Sequence, residues 1–170
     1  MATFPGSTDL AAVVLRVFLG TILMVHGFPK LFKADVRRQT VGFMKSIGVP
    51  PALTLAAGTL EFFGGLALLV GFLTEVAAIL IAVEMAGTTY LSRTKLGKRL
   101  VLGYELDLAY LAGALALVFL GPGAWSLDGA LRIAVEPLWL GIAVVLAAVY
   151  LAAVVGWRSS SAKSAPESGP

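Results

Sequence analysis

The stretch LAAVVLRVFLGTILMVHGFPKLF, Leu10–Phe32, decides how the rest of the chain is read. From Leu10 to Phe28 only Arg16 and His26 have ionisable side chains, and the run then leaves through Pro29 and Lys30. A bilayer's hydrocarbon core is about 30 Å thick, and an α-helix crosses it with roughly 17 to 25 residues. Leu10–Phe28 has that length. The whole chain agrees with it: of 170 residues 58% are hydrophobic and 14% charged, with a mean hydropathy of +0.90, whereas an ordinary soluble domain carries about 25% charged residues.

Working outward, four further apolar segments have nearly spanning length, near 52–73, 75–91, 105–120 and 138–157. The third and fourth spans are at the short end, so neither tilts far without drawing its flanks inward. The predicted fold is all-α, an integral membrane helical bundle over residues 1–157, followed by a disordered polar tail over 158–170 that is poor in apolar residues. A cleaved signal peptide competes for the first span. No basic residue precedes Leu10, however, and the stretch ends in Gly-Phe-Pro-Lys rather than at a small-residue cleavage site.

Several function classes are excluded by composition. The chain has no cysteine, which rules out disulfides, thiolate metal sites and Cys-ligated clusters. Its single histidine cannot supply bis-His haem ligation, so no metal is expected. The sequence pI of 9.4 raises nucleic acid as a partner, but the cations flank apolar spans instead of forming one basic and aromatic face. They report topology. Lys30, Lys33, Arg37, Arg38 and Lys45 follow the first span, Arg93, Lys95, Lys98 and Arg99 follow the third, and Arg158 and Lys163 follow the fifth. The positive-inside rule then predicts a multi-pass cell-membrane protein with its N-terminus outside and its C-terminus in the cytoplasm. Trp125, Trp139 and Trp157 lie near span ends, as interfacial aromatics do.

Between the first two spans, residues 31–48 alternate apolar and basic groups at helical spacing, which predicts an amphipathic helix lying in the interface. Gly48 and the Pro50-Pro51 pair would stop it.

Ionisable groups inside the spans carry the functional information. On the mildest scale a charge at the centre of a helix in lipid costs about 2.5–3.5 kcal/mol, so such groups must face protein or water. Arg16, Gly20, Leu23, His26, Gly27 and Lys30 share one face of the first helix. Thr54, Gly58, Glu61, Gly64 and Gly65 share one face of the second, a small-residue surface around a single acid. The third adds Glu84, with Gly87 and Thr88 one turn on. In the fourth, Glu105 shares a face with Ala109, Ala112 and Ala116, while Asp107 and Tyr110 point elsewhere. A buried polar network of Arg16, Glu61 and Glu84 is expected, with Arg16 and Glu61 the favoured pair because a guanidinium fork suits a carboxylate.

The segments HGFPKL, EFFGGLALLVGFLTEVAA, GYELDLAYLAGALAL and GPGAWSLD, together with an Arg-containing first helix, resemble the DoxX family of small prokaryotic membrane proteins from about Leu15 to Asp128. Arg16, His26, Gly27, Lys30, Glu61, Gly64, Gly65, Glu105, Gly121, Gly123 and Asp128 fall on recurrent family positions. The resemblance implies a four-helix core, to which this chain adds a fifth C-terminal transmembrane helix. It also implies redox associations: the related DoxD protein is a subunit of a thiosulfate:quinone oxidoreductase, and actinobacterial relatives look like membrane anchors for complexes handling oxidative and thiol stress.

A quinone needs neither cysteine nor metal, only an apolar cleft, donors to its carbonyl oxygens and a proton source. His26, Lys30 and Glu105, all near the inner boundary, are the candidate catalytic residues for such a quinone or proton site, working with a redox partner protein. The same residues also fit an internal ion-pair network that only fixes helix packing in a scaffold or anchor. They fit, too, a polar path for a small molecule or a proton. His26 alone also reads as a cap on carbonyls freed before Pro29. GPGAWSLD reads as a turn in which Asp128 caps the segment after it, or as an outer loop that docks a partner.

Overall fold

The computed structural model describes residues 6–133 and 136–161, with side chains described to residue 154. Its helices are α1 (Ser7–Phe32), α2 (Ala34–Ser46), α3 (Pro51–Val70), α4 (Thr74–Thr94), α5 (Glu105–Leu120), α6 (Leu127–Leu131) and α7 (Pro137–Ser161). No strand occurs among the described residues. Among the described residues five helical segments are long and apolar enough to cross a membrane: α1, α3, α4, Leu100–Leu120 and Pro137–Val154. The fold is an all-α helical membrane bundle. Residues 162–170 of the predicted tail and the side chain of Trp157 lie outside the described residues, and α7 runs on to Ser161, four residues into that tail.

Local chemistry sets where each helix begins and ends. α1 does not stop at Phe28 but continues through Pro29 to Phe32, where the Lys33 N–H bonds Pro29 O at 3.1 Å. A proline removes one donor, a loss that membrane helices absorb when neighbours re-satisfy the backbone. α3 starts with Pro51 at its first position, where the missing N–H is no loss. It widens into a π-helical turn over Leu60–Gly64 and ends at Gly71, whose φ of 71° a side chain would resist. The second span therefore ends three residues before its apolar run suggested.

Lipid tails are as apolar as leucine, so spanning helices associate through close packing rather than water exclusion. α1 and α3 meet at their glycines. A Cβ on Gly20 would lie 2.6 Å from Gly65 O, and one on Gly27 would lie 2.5 Å from Phe62 N. All five residues of the predicted α3 face, Thr54, Gly58, Glu61, Gly64 and Gly65, are buried. α4 packs on α5 and α3, and α5 closes the ring against α1, where Gly113 faces Leu19. Leu19, Leu23, Leu68, Ile81, Met85 and Leu117 fill the centre. α7 lies outside this ring against α4, with Tyr150 over Gly87.

One end of the bundle holds α2 and the connection from α4 to α5. None of α2's residues is buried, and Lys33, Arg37, Arg38, Lys45, Lys95, Lys98 and Arg99 are all exposed at this basic end. The opposite end is covered by the 121–132 loop with the short helix α6.

Candidate functional site

α1 and α3 run antiparallel, and the Gly20–Gly65 and Gly27–Phe62 contacts fix their register. Lys30 thereby falls beside Gly58 and Glu61. Lys30 Nζ donates to both carboxylate oxygens of Glu61 at 2.5 Å, with the side chains 28% and 8% exposed respectively. The expected Arg16–Glu61 pair does not form. At about 1.5 Å of rise per residue, Arg16 stands about 21 Å of helix from Lys30, opposite Gly71 at the far end of α3. There Arg16 Nη2 donates to Trp125 O at 2.5 Å.

That far end is a backbone-capping device. Asp128 accepts from Leu73 N at 2.8 Å and from Thr74 N and Oγ1 at 3.0 and 2.8 Å, and its own N–H donates to Gly71 O at 2.9 Å. Asp128 thus caps α4 and holds Leu73 at its φ of 46°. The cap of α6, expected of Asp128, is made by Ser126, whose Oγ accepts from Gly129 N at 2.9 Å. Asp9 accepts from Ala124 N at 2.8 Å. GPGAWSLD is therefore a strap tying together the ends of α1, α3 and α4 that lie opposite the basic end.

At the basic end the Lys30–Glu61 pair separates two cavities. The larger, about 310 Å³, is lined by His26, Lys30, Glu61, Lys98, Asp107 and Tyr110, with apolar Leu23, Met85 and Leu106 among its walls. The smaller, about 90 Å³, lies on the α7 side and presents Thr40, Thr54, Thr88 and Tyr150 to the same pair. Only the larger reaches the roughly 300–1,000 Å³ of ordinary ligand pockets.

Of the residues expected at the site, His26 and Lys30 line the larger cavity and Glu105 does not. Asp107 and Tyr110, expected to point elsewhere, take its place. The chain between α4 and α5 is extended at Val101 and left-handed at Leu102, which restarts the helix and sets its phase. The inward face of α5 is consequently Asp107, Tyr110, Ala114 and Leu117; of these, Ala114 and Leu117 are fully buried, while Ala109 and Ala112 are exposed. That stripe has helical spacing and is a usable signal, but the small alanines offer a competing one on the opposite face. Glu84 is completely buried on α4, one turn before Thr88, and neither of its carboxylate oxygens has a hydrogen-bond partner among the described residues. It lines neither cavity and pairs with neither Arg16 nor Glu61, so the expected three-membered network is divided among separate places.

Residues 11–93 match the family model described as DoxX. The chain is 31% identical over 131 residues to the uncharacterized membrane protein Rv3486 of Mycobacterium tuberculosis, covering 69% of this chain and 79% of that protein. It is also 31% identical over 121 residues to the inner membrane protein YqjF of Escherichia coli, covering 71% of this chain and 91% of that one. The chain belongs to the DoxX family. A further relative, 28% identical over 122 residues with 72% and 87% coverage, is the putative oxidoreductase CatD of Bacillus subtilis. No solved structure matches the chain. The DoxX match spans α1 to α4 and so contains His26, Lys30, Glu61 and Glu84, while Asp107 and Tyr110 lie beyond it.

Proposed function

We propose that this DoxX protein is the membrane subunit of a quinone-linked oxidoreductase, with a quinone head group in the larger cavity and the basic end facing the cytoplasm. The observation that carries this reading is the make-up of the cavity's lining: an ammonium, an imidazole, two carboxyls and a phenol from α1, α3 and α5, set beside apolar side chains. The name of the CatD relative supports the same class of chemistry.

A bound quinone would take up two electrons from a redox partner protein and two protons at its carbonyl oxygens. Lys30 is held in place by Glu61 and keeps N–H capacity for an oxygen in the cavity, since an ammonium has three donors. Tyr110 offers a hydroxyl from α5. His26 and Asp107 hold and pass protons, and imidazole is the side chain that exchanges a proton near neutral pH. Leu23 and Met85 limit the water around the head group.

The test is purification in mild detergent of the wild type and of His26→Ala, Asp107→Asn and Glu105→Gln, followed by extraction and mass spectrometry of bound quinones. The wild type and Glu105→Gln should retain quinone, and folded His26→Ala and Asp107→Asn should lose it. Equal contents in all four, or quinone in none, would overturn the reading. A second reading is favoured by the Lys30–Glu61 pair itself, whose acid is already satisfied: the chain is then a scaffold or anchor whose charges fix helix packing. In that case substitutions at the pair change thermal stability and leave the bound contents alone.

A further inference from the structure

The connection from α4 to α5 presents an unusual surface for a charged turn. Arg99 is followed by Leu100, Val101 and Leu102, which are 48%, 69% and 93% exposed. Leu102 takes a φ of 58°, a left-handed conformation that leucine disfavours, although Gly103 is next to it. The backbone thus holds a large apolar side chain outward instead of folding it onto the bundle. Lys95, Lys98 and Arg99 are exposed on the same connection.

The segment also borders the larger cavity, whose lining includes Lys98, Gly103 and Leu106. On the other side of that cavity stands His26 of α1, which is exposed, as is Leu106. Further along, α1 and α5 are in close contact, since a Cβ on Gly113 would lie 3.0 Å from Leu19 Cδ1. The two helices thus meet at Leu19 and Gly113, and toward the basic end both line the cavity, with Lys98 and Gly103 at its edge.

We infer that Leu100, Val101 and Leu102 insert into the acyl layer of the leaflet at the basic end, with Lys95, Lys98 and Arg99 on anionic lipid phosphates. The segment forms the sill of a lateral opening between α1 and α5 through which a lipid-dissolved amphiphile enters the cavity. A bilayer is the occupant because Leu100–Leu120 as a whole is long and apolar enough to cross a membrane, so the three exposed aliphatic side chains belong to a spanning segment. Its cations complement anionic head groups, each contributing near a charged leaflet. The proposal rests on the reading of the larger cavity as a ligand site and adds the route by which that ligand arrives.

The absence of native cysteine makes the route directly measurable. Leu102→Cys, carrying a small fluorophore, should be quenched by nitroxide-labelled lipid and shielded from aqueous iodide in vesicles of phosphatidylcholine and phosphatidylglycerol. Gln39→Cys on exposed α2 supplies the water-facing reference. Leu106→Cys should react at least about tenfold faster with a lipid-partitioning alkyl maleimide than with a charged thiosulfonate, a ratio equivalent to about 1.4 kcal/mol. Native mass spectrometry should show phosphatidylglycerol retained over phosphatidylcholine, a preference weakened in Lys95→Ala/Arg99→Ala. Iodide quenching at residue 102 equal to that at residue 39 would overturn the insertion, and so would a covered residue 102 that lipid nitroxide does not reach, which would mean a protein partner. Equal or faster labelling of residue 106 from water, or no labelling from either side, would overturn the lateral route. None of these readouts uses quinone, so lipid-side labelling without bound quinone would leave the route standing and remove the redox reading.

Discussion

Breaking the Lys30–Glu61 pair from each side in turn tests the register in which α1 and α3 meet. Removing one member of a buried pair costs about 3–5 kcal/mol, because the remaining charge is left in a poor solvent. Lys30 keeps 28% of its side chain exposed, so Glu61→Gln belongs at the lower end, about 3 kcal/mol. Glu61 keeps only 8%, so Lys30→Met, which strands the carboxylate, should lose about 4 kcal/mol. For a chain of this size each 1 kcal/mol moves Tm by about 2–4 °C, which places Glu61→Gln about 6–12 °C below the wild type. The double variant Lys30→Met/Glu61→Gln removes both charges and leaves neither stranded. It should recover about 3 kcal/mol relative to the sum of the singles, the signature of direct coupling. Thermal unfolding in detergent, followed by tryptophan fluorescence and circular dichroism, reads all four proteins. Single variants within about 2 °C of the wild type, or a double variant equal to the sum of the singles, would refute the pairing. An Arg16→Met change coupled to Glu61→Gln would show instead that α1 and α3 meet in a different register.

Two further outcomes rest on the backbone geometry. Gly27→Ala places a methyl 2.5 Å from Phe62 N, so it should separate α1 from α3 and lower stability by about 1–3 kcal/mol, whereas Gly42→Ala on α2, with no atom within 4 Å of the added Cβ, should be neutral or slightly stabilising in the same thermal assay. Asp128→Ala removes the acceptor of three hydrogen bonds to Leu73 and Thr74 and should cost about 2–3 kcal/mol; cysteine labelling at Trp125→Cys, compared with and without that change, reports whether the strap lifts first.

The faces of α1 and α3 were legible because small residues and charges recur there at helical spacing, and a membrane helix has few other ways to pack. The partner of each charge was not legible. It depends on which glycine meets which, a relation between two helices that neither segment contains. Arg16 stands one turn before Gly20 and Glu61 one turn before Gly64, as a true pair could, yet the register sends one to Trp125 and the other to Lys30. Asp107 was hidden for a different reason. Its orientation follows from the break at Val101 and Leu102, where a leucine adopts a conformation that sequence rules reserve for glycine or asparagine. The π-helical turn at Leu60–Gly64 is likewise a product of packing, and turns of this kind often mark functional positions.

The arrangement separates two uses of buried polarity within one bundle. At the strap end, every oxygen of the Asp128 carboxylate has backbone or hydroxyl donors within 3.0 Å, and Arg16 is spent on a carbonyl. Asp128 is thereby saturated and its role is structural, while Arg16 Nε is buried without a hydrogen-bond partner among the described residues. At the basic end the polar groups border open volume: Lys30 is tied to Glu61, and His26, Asp107 and Tyr110 line a cavity of about 310 Å³. A network built only to fix helix packing would be expected to close such a space, since unfilled volume forfeits the contacts on which membrane helices depend. The strap makes the opposite end rigid, and the ion pair then holds α1 and α3 together at the cavity wall without drawing α5 in to seal it. That division, a capped end opposite an open one, is what favours the basic end in the proposed function of this DoxX protein.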